Sequence, residues 1–110
     1  MELTAKSEKS AVVVSIKGRV DATTAPELET YLSDQIDSGG NIMILNMTEL
    51  DYISSAGLRV VLLTAKKLKG QQGDLMLAGL QGPVQEVFEI SGFTAIFNMF
   101  ETEEAALEQV

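Results

Sequence analysis

The chain has 110 residues, 45% of them hydrophobic and 22% charged, which suits one globular domain with a single core and argues against disorder. It contains no cysteine and no histidine, so disulfides, thiolate chemistry, Cys-based zinc sites and the commonest general base and metal ligand are excluded together. A formal net charge of −8 speaks against binding nucleic acid or an anionic membrane, both of which need a basic patch, and favours partners with basic surfaces.

No apolar run approaches the ~20 residues that span a bilayer, and the first residues, Met1 to Lys6, lack a signal-peptide pattern. A cytoplasmic protein is therefore expected, and the Asn46-Met47-Thr48 sequon has no glycosylation consequence there. Along the chain, residues 2–18 read as an antiparallel hairpin. Leu3, Ala5 and Ser7 alternate with polar residues, Ser7 to Ser10 form a polar turn, and Ala11 to Ile16 are a β-branched run that closes at Gly18-Arg19-Val20-Asp21. Thr24-Ala25-Pro26-Glu27 reads as a capping box with proline in the first turn of a helix. Ala25, Leu28, Leu32 and Ile36 line one face of that helix, which stops at Gly39-Gly40.

Ile42 to Met47 is a short apolar run suited to a strand buried on both faces. An extended approach, Leu50-Asp51-Tyr52-Ile53, then leads to Ser54 and Ser55. From there Leu58, Val61, Leu62, Ala65 and Leu68 form a helical stripe that ends at Gly70. Of these, Leu58, Val61 and Leu62 are expected in the core with Ile44 and Leu45. Asp74 to Gly79 is a further strand. Pro83 opens a third helix carrying Val84, Val87 and Phe88 and ending at Gly92. A short last strand is expected around Ile96-Phe97, and Thr102 caps a terminal helix through Leu107 with acids in its first turn. The order β-β-α-β-α-β-α-(β)-α predicts one α/β domain over residues 1–110: a mixed, mostly parallel sheet with an antiparallel edge strand.

Enzyme chemistry finds little support. Gly70-Gln71-Gln72-Gly73 and Gly79-Leu80-Gln81-Gly82 lack the Lys-Ser/Thr of a P-loop and the Rossmann glycine spacing, and read as turns. Ser55 has no glycine two residues before it and no histidine to take its proton. Ser-Lys chemistry is left open only through Lys66 or Lys67, each separated from Ser55 by more than a full turn of helix. Asp34 and Asp37 read as a solvated face, as do Glu101, Glu103, Glu104 and Glu108, so neither a metal nor a cofactor is expected.

The serine pair has two readings. Both residues sit where a helix begins, so they can serve simply as caps. Phosphorylation there also makes physical sense, because a phosphoserine adds roughly −1.5 to −2 charge and acceptor oxygens where first-turn N–H groups are free. Such a change alters a contact surface without moving a core.

Tyr52-Ile53-Ser54-Ser55-Ala56-Gly57-Leu58 resembles the signature of STAS domains, specifically the bacterial anti-sigma factor antagonists, in which it runs aromatic, Met/Ile, Asp, Ser, Ser/Thr/Ala, Gly, Leu, Gly. Gly18-Arg19-Val20-Asp21, Leu45-Asn46-Met47 and Ile90-Ser91-Gly92-Phe93 resemble further motifs of that family in register. The resemblance implies a binding protein without catalysis: a monomer that sequesters an anti-sigma factor with serine kinase activity and so frees a sigma factor for transcription. The kinase phosphorylates the antagonist and a phosphoserine phosphatase reverses this. Carried over residue by residue, the acceptor falls on Ser55, with Ser54, in place of the family's Asp, as an alternative. Asp21, Thr23, Asn46, Ser54, Ala56, Gly57 and Arg59 are the implied partner contacts, with Asp21 and Asn46 expected near Ser55. Arg59 replaces the family's small glycine. The alternative is a STAS scaffold or nucleotide-binding module in another signalling assembly, not controlled by a kinase.

Overall fold

A computed structural model describes residues 1–110. Its elements are β1 (Glu2–Glu8), β2 (Ala11–Val20), α1 (Ala25–Asp37), β3 (Ile42–Asn46), β4 (Leu50–Ile53), α2 (Ser55–Gly70), β5 (Asp74–Ala78), α3 (Gly82–Ile90), a 3-10 turn (Phe93–Ala95), β6 (Asn98–Phe100) and α4 (Glu103–Leu107). The sheet runs β1-β2-β3-β5-β6; β1 is antiparallel to β2 and the other pairs are parallel, as the alternation of strands and helices predicts.

Alternation along the strands divides the sheet between two layers. Val12, Val14, Ile16, Met43, Leu45, Leu75 and Leu77 face α1, α2 and α3 in the larger core. Ala11, Val13, Ile44, Met76 and Ala78 face the other way, onto Ala106 and Leu107 of α4. The central strands are thus covered on both sides, which is why they read as continuous apolar runs. The edge strand β1 instead carries exposed Glu2, Lys6 and Glu8, charges that discourage pairing with another chain. α1 buries the expected Ala25, Leu28, Leu32 and Ile36, and each of the larger three contributes ~1.5–3 kcal/mol by leaving water.

Four expectations are corrected. Leu50–Ile53 is a strand in its own right, pairing with the end of β2 through Gly18↔Leu50, Arg19↔Tyr52 and Val20↔Ile53. The register shifts between Gly18 and Arg19, with Gly18 at φ +98, and this bulge turns β2 from its β3 partner to β4. The last strand lies at Asn98–Phe100 rather than Ile96-Phe97. Phe93 and Phe97 are drawn into an aromatic cluster with Phe88, while Ile96 is left exposed. α2 is rotated from the expected stripe: Gly57, Leu58, Val60, Val61, Thr64, Ala65 and Leu68 are buried and Leu62 is only half-buried. Thr64 is tolerated inside because its hydroxyl donates to the Val60 carbonyl at 2.8 Å. Finally, Thr24 caps α1 by position but makes no side-chain cap bond. No helix is long and apolar enough to cross a membrane.

Candidate functional site

Where β2 and β4 end together, two helices begin. The Ser54 N–H donates to the Val20 carbonyl at 2.9 Å, and the Ser54 carbonyl accepts the first helical bond of α2 from Leu58 at 3.0 Å. The chain therefore passes directly from strand to helix at Ser54, with extended backbone there, and Ser55 is the first helical residue. Gly57 belongs to the same joint. A Cβ on it would lie 2.6 Å from Ile53 Cγ1 and 2.7 Å from Val20 Cγ1, so only glycine lets the helix start this close to both strands.

The two serines differ sharply. Ser55 is exposed. Ser54 Oγ is sealed from solvent and has no hydrogen-bond partner, so the residue stands at the cap without acting as one. Nor does the first turn of α2 hold an acidic residue. Its leading N–H groups have no acceptors inside the helix, and together with the helix dipole they leave this end positively polarised.

The neighbouring turn is organised by Asp21. Its Oδ1 accepts from the Thr23 hydroxyl at 2.7 Å, the Thr23 N–H at 3.0 Å and the Thr24 N–H at 3.2 Å. The Thr24 hydroxyl accepts from the Asp21 N–H at 2.9 Å. These bonds, led by that of the Thr23 hydroxyl, hold the Asp21 carboxyl below its ordinary pKa. The expected capping box is thus replaced by an Asp-centred turn three residues upstream, and it places Asp21 and Thr23 beside the start of α2.

Between the starts of α1 and α2 runs an open groove of about 220 Å³, lined among others by Ala25, Pro26, Ala56, Arg59 and Leu63. Ala56 is half-buried against the core and Arg59 is exposed. Leu63 and Tyr52 are each 37% exposed, and the Arg19 guanidinium stacks 4.3 Å from the centre of the Tyr52 ring. Arg19, Tyr52 and Leu63 are not among the expected contact residues: the first two meet only through β4 pairing, and Leu63 lies off the expected apolar stripe of α2.

Asp21, Thr23, Ser55, Ala56 and Arg59 therefore lie about one joint, with Gly57 and the Ser54 hydroxyl buried beneath it, but Asn46 does not. Its side chain lies on the α4 face of the sheet, where its amide donates to Glu103 Oε1 at 2.9 Å and its Oδ1 accepts from the Thr48 N–H at 3.0 Å. The parity of β3 decides this: Asn46 shares a face with Ile44, opposite the face that α2 covers. Glu103, expected on a solvated face, is drawn inward by the same contact and by Lys6 at 2.8 Å, leaving its side chain only 14% exposed. These bonds, that from Lys6 above all, lower its pKa against the opposing effect of burial. Lys67 is also engaged away from the serines, donating to Ser33 at 2.6 Å and pairing with Asp37 at 3.0 Å.

Comparison with known proteins places this geometry in context. A model of the STAS domain matches residues 2–106. A Bordetella bronchiseptica protein named as a candidate anti-sigma factor antagonist, BtrV, is 46% identical over 106 residues, covering 96% of this chain and 91% of its own. The anti-sigma-B factor antagonist of Listeria monocytogenes is 31% identical over 86 residues, 78% of this chain and 75% of that one. Among solved structures, the antagonist SpoIIAA in its unphosphorylated form superposes with a TM-score of 0.84 at 24% identity, covering 98% of this chain and 95% of that one. Its phosphorylated form, from Bacillus, gives 0.76 at 24% identity, over 98% of each chain. At that identity the likeness is one of fold.

Proposed function

This chain belongs to the STAS domain family and, within it, to the anti-sigma factor antagonists; from that premise we propose that it binds an anti-sigma factor through the surface around Ser55 and releases it when Ser55 is phosphorylated. The observation that carries the reading is the contrast between the serines: the Ser55 hydroxyl reaches solvent at the first residue of α2, whereas Ser54 Oγ is enclosed. A kinase can bring the γ-phosphoryl of ATP only to the first. There the Oγ–P bond forms, ADP leaves and the hydroxyl proton is lost.

The surface suits a binary switch. Ala56 and Leu63 offer modest apolar area in the groove, with Glu29 and Arg59 lining it and the Asp21–Thr23 turn leading into α1, the mixture expected of a reversible protein contact. A phosphate on Ser55 puts up to two negative charges into that surface, and accommodating it requires no movement of the buried Gly57, Val20 and Ile53 beneath. SpoIIAA, whose fold this chain shares, exists in phosphorylated and unphosphorylated forms, which supports the same reading here. The anti-sigma factor is then itself the serine kinase, and a phosphoserine phosphatase resets the switch.

The test is calorimetric titration of the cognate anti-sigma factor with the native protein, Ser55→Ala and Ser55→Asp. The reading expects native-like affinity for Ser55→Ala and at least a tenfold loss for Ser55→Asp. Equal affinity for all three, or binding of nucleotide by the antagonist alone, would favour a scaffold or nucleotide-binding role instead.

A further inference from the structure

The helix that presents Ser55 also carries a cation placed to receive its phosphate. Arg59 stands four residues after Ser55 on α2, and both are exposed. At that spacing two helical side chains are neighbours, with Cβ atoms ~5–6 Å apart, and an anion N-terminal to a cation is the better of the two orders. In the unmodified chain the first turn of α2 holds no acid, so Arg59, in the second turn, has no anionic partner on its own helix N-terminal to it.

Its guanidinium is also uncommitted. Lys6, Lys17 and Lys67 pair with carboxylates, Lys9 donates to the Leu107 carbonyl and Arg19 lies on Tyr52. Arg59, Lys66 and Lys69 make no such contact, and the two lysines lie roughly 16 and 21 Å along the helix axis from Ser55 at the ordinary rise per residue. Glu29 lines the same groove as Arg59 without forming an ion pair with it.

Resting on the reading of Ser55 as the modified residue, we propose that Arg59 is a positioning residue for the phosphate: its planar fork holds phosphate oxygens of phosphorylated Ser55 against the first turn of α2. Bidentate guanidinium–phosphate pairing is short, charge-assisted and geometrically specific. The modified chain is then more stable than the unmodified one, because the phosphate meets the free N–H groups of the first turn and the Arg59 guanidinium together. The phosphate is also fixed in position and partly neutralised within its own chain. Exclusion of the partner in this chain thus comes as much from an ordered obstacle as from free negative charge.

Other ionisable groups on the elements meeting here include Arg19 on β2, Asp21 on the following turn, Asp51 and Tyr52 on β4, and Glu27 and Glu29 on α1. The experiment leaves all of them unchanged. Phosphoserine is installed at position 55 by genetic-code expansion in the native chain, Arg59→Gln and Arg59→Lys. Each is followed by phosphorus NMR across pH and by thermal melting with and without the phosphate. The second phosphate pKa, ordinarily ~6, is expected about 0.5 lower in the native chain than in Arg59→Gln, with Arg59→Lys between them. The gain in melting temperature on phosphorylation is expected to shrink in Arg59→Gln. Identical pKa values and identical gains in native and Arg59→Gln proteins would overturn the proposal. Because no kinase is used, this result is independent of whether a kinase selects Ser55, and failure of that selection is read separately.

Discussion

Ser54 and Ser55 are adjacent in the chain, yet the hydroxyl oxygen of the first is enclosed without a partner and the second faces solvent at the opening of α2. A buried unpaired hydroxyl costs ~1–3 kcal/mol, comparable to or larger than the ~1 kcal/mol a working serine cap supplies. Ser54→Ala is therefore expected to change stability by less than ~0.5 kcal/mol or to raise it. Thr102→Ala is the contrast. Its hydroxyl accepts from the Ala105 N–H at 3.1 Å, so removing it costs ~1 kcal/mol. Urea denaturation at unchanged m-value compares the two.

Gly57→Ala destabilises despite the better helix propensity of alanine. The gain is at most ~1 kcal/mol, whereas forcing a methyl between Ile53 and Val20 in a packed joint costs ~1–3 kcal/mol. The added carbon would lie under 3 Å from both side chains, and both are β-branched residues held in the core. A net loss of up to ~2 kcal/mol by chemical denaturation is expected, with weakened partner binding because the displaced joint carries Ser55.

The Lys6–Glu103–Asn46 cluster gives a pH signature. Glu103 titrates below its ordinary value of 4.5, chiefly because Lys6 donates to it. A lowered folded pKa contributes stability that is present above the unfolded value and is lost as pH falls through the folded one. Lys6 is shifted up from 10.5 by the same bond, so its share persists at neutral pH and fades only as alkaline pH passes the raised value. The stability difference between native and Lys6→Met is thus largest near neutrality and shrinks below pH 4.5. Paired urea titrations at pH 7 and pH 3 (about four pH units apart, on either side of the carboxylate range) check this.

Leucines on α2 are not equivalent. Leu68 is wholly buried and Leu62 only half-buried. Leu68→Ala is expected to cost ~2–5 kcal/mol and Leu62→Ala roughly 1 kcal/mol, since much of its surface is already in water. Equal losses would mean that the rotation of α2 about its axis differs from the one described.

Much of this architecture was legible because its elements carry strong local signals. The β-branched run of β2, the 25-28-32-36 stripe of α1, Pro83 and the Thr102 cap each declared themselves. What escaped depended on the fold as a whole. β4 is four residues long and becomes a strand only because a bulge at Gly18 turns β2 toward it. Asn46 was grouped with Ser55 because both lie near strand ends, but the parity of β3 sends its side chain to Glu103. Ser54 has a good capping residue in a good capping position, and only packing reveals that its oxygen bonds to nothing.

The most direct measurement is incubation of the native protein with its cognate anti-sigma kinase and ATP, followed by site mapping by mass spectrometry. The account predicts one phosphate, on Ser55, and none in Ser55→Ala, where the enclosed Ser54 cannot substitute. Phosphate on Ser54, or undiminished incorporation in Ser55→Ala, would contradict it.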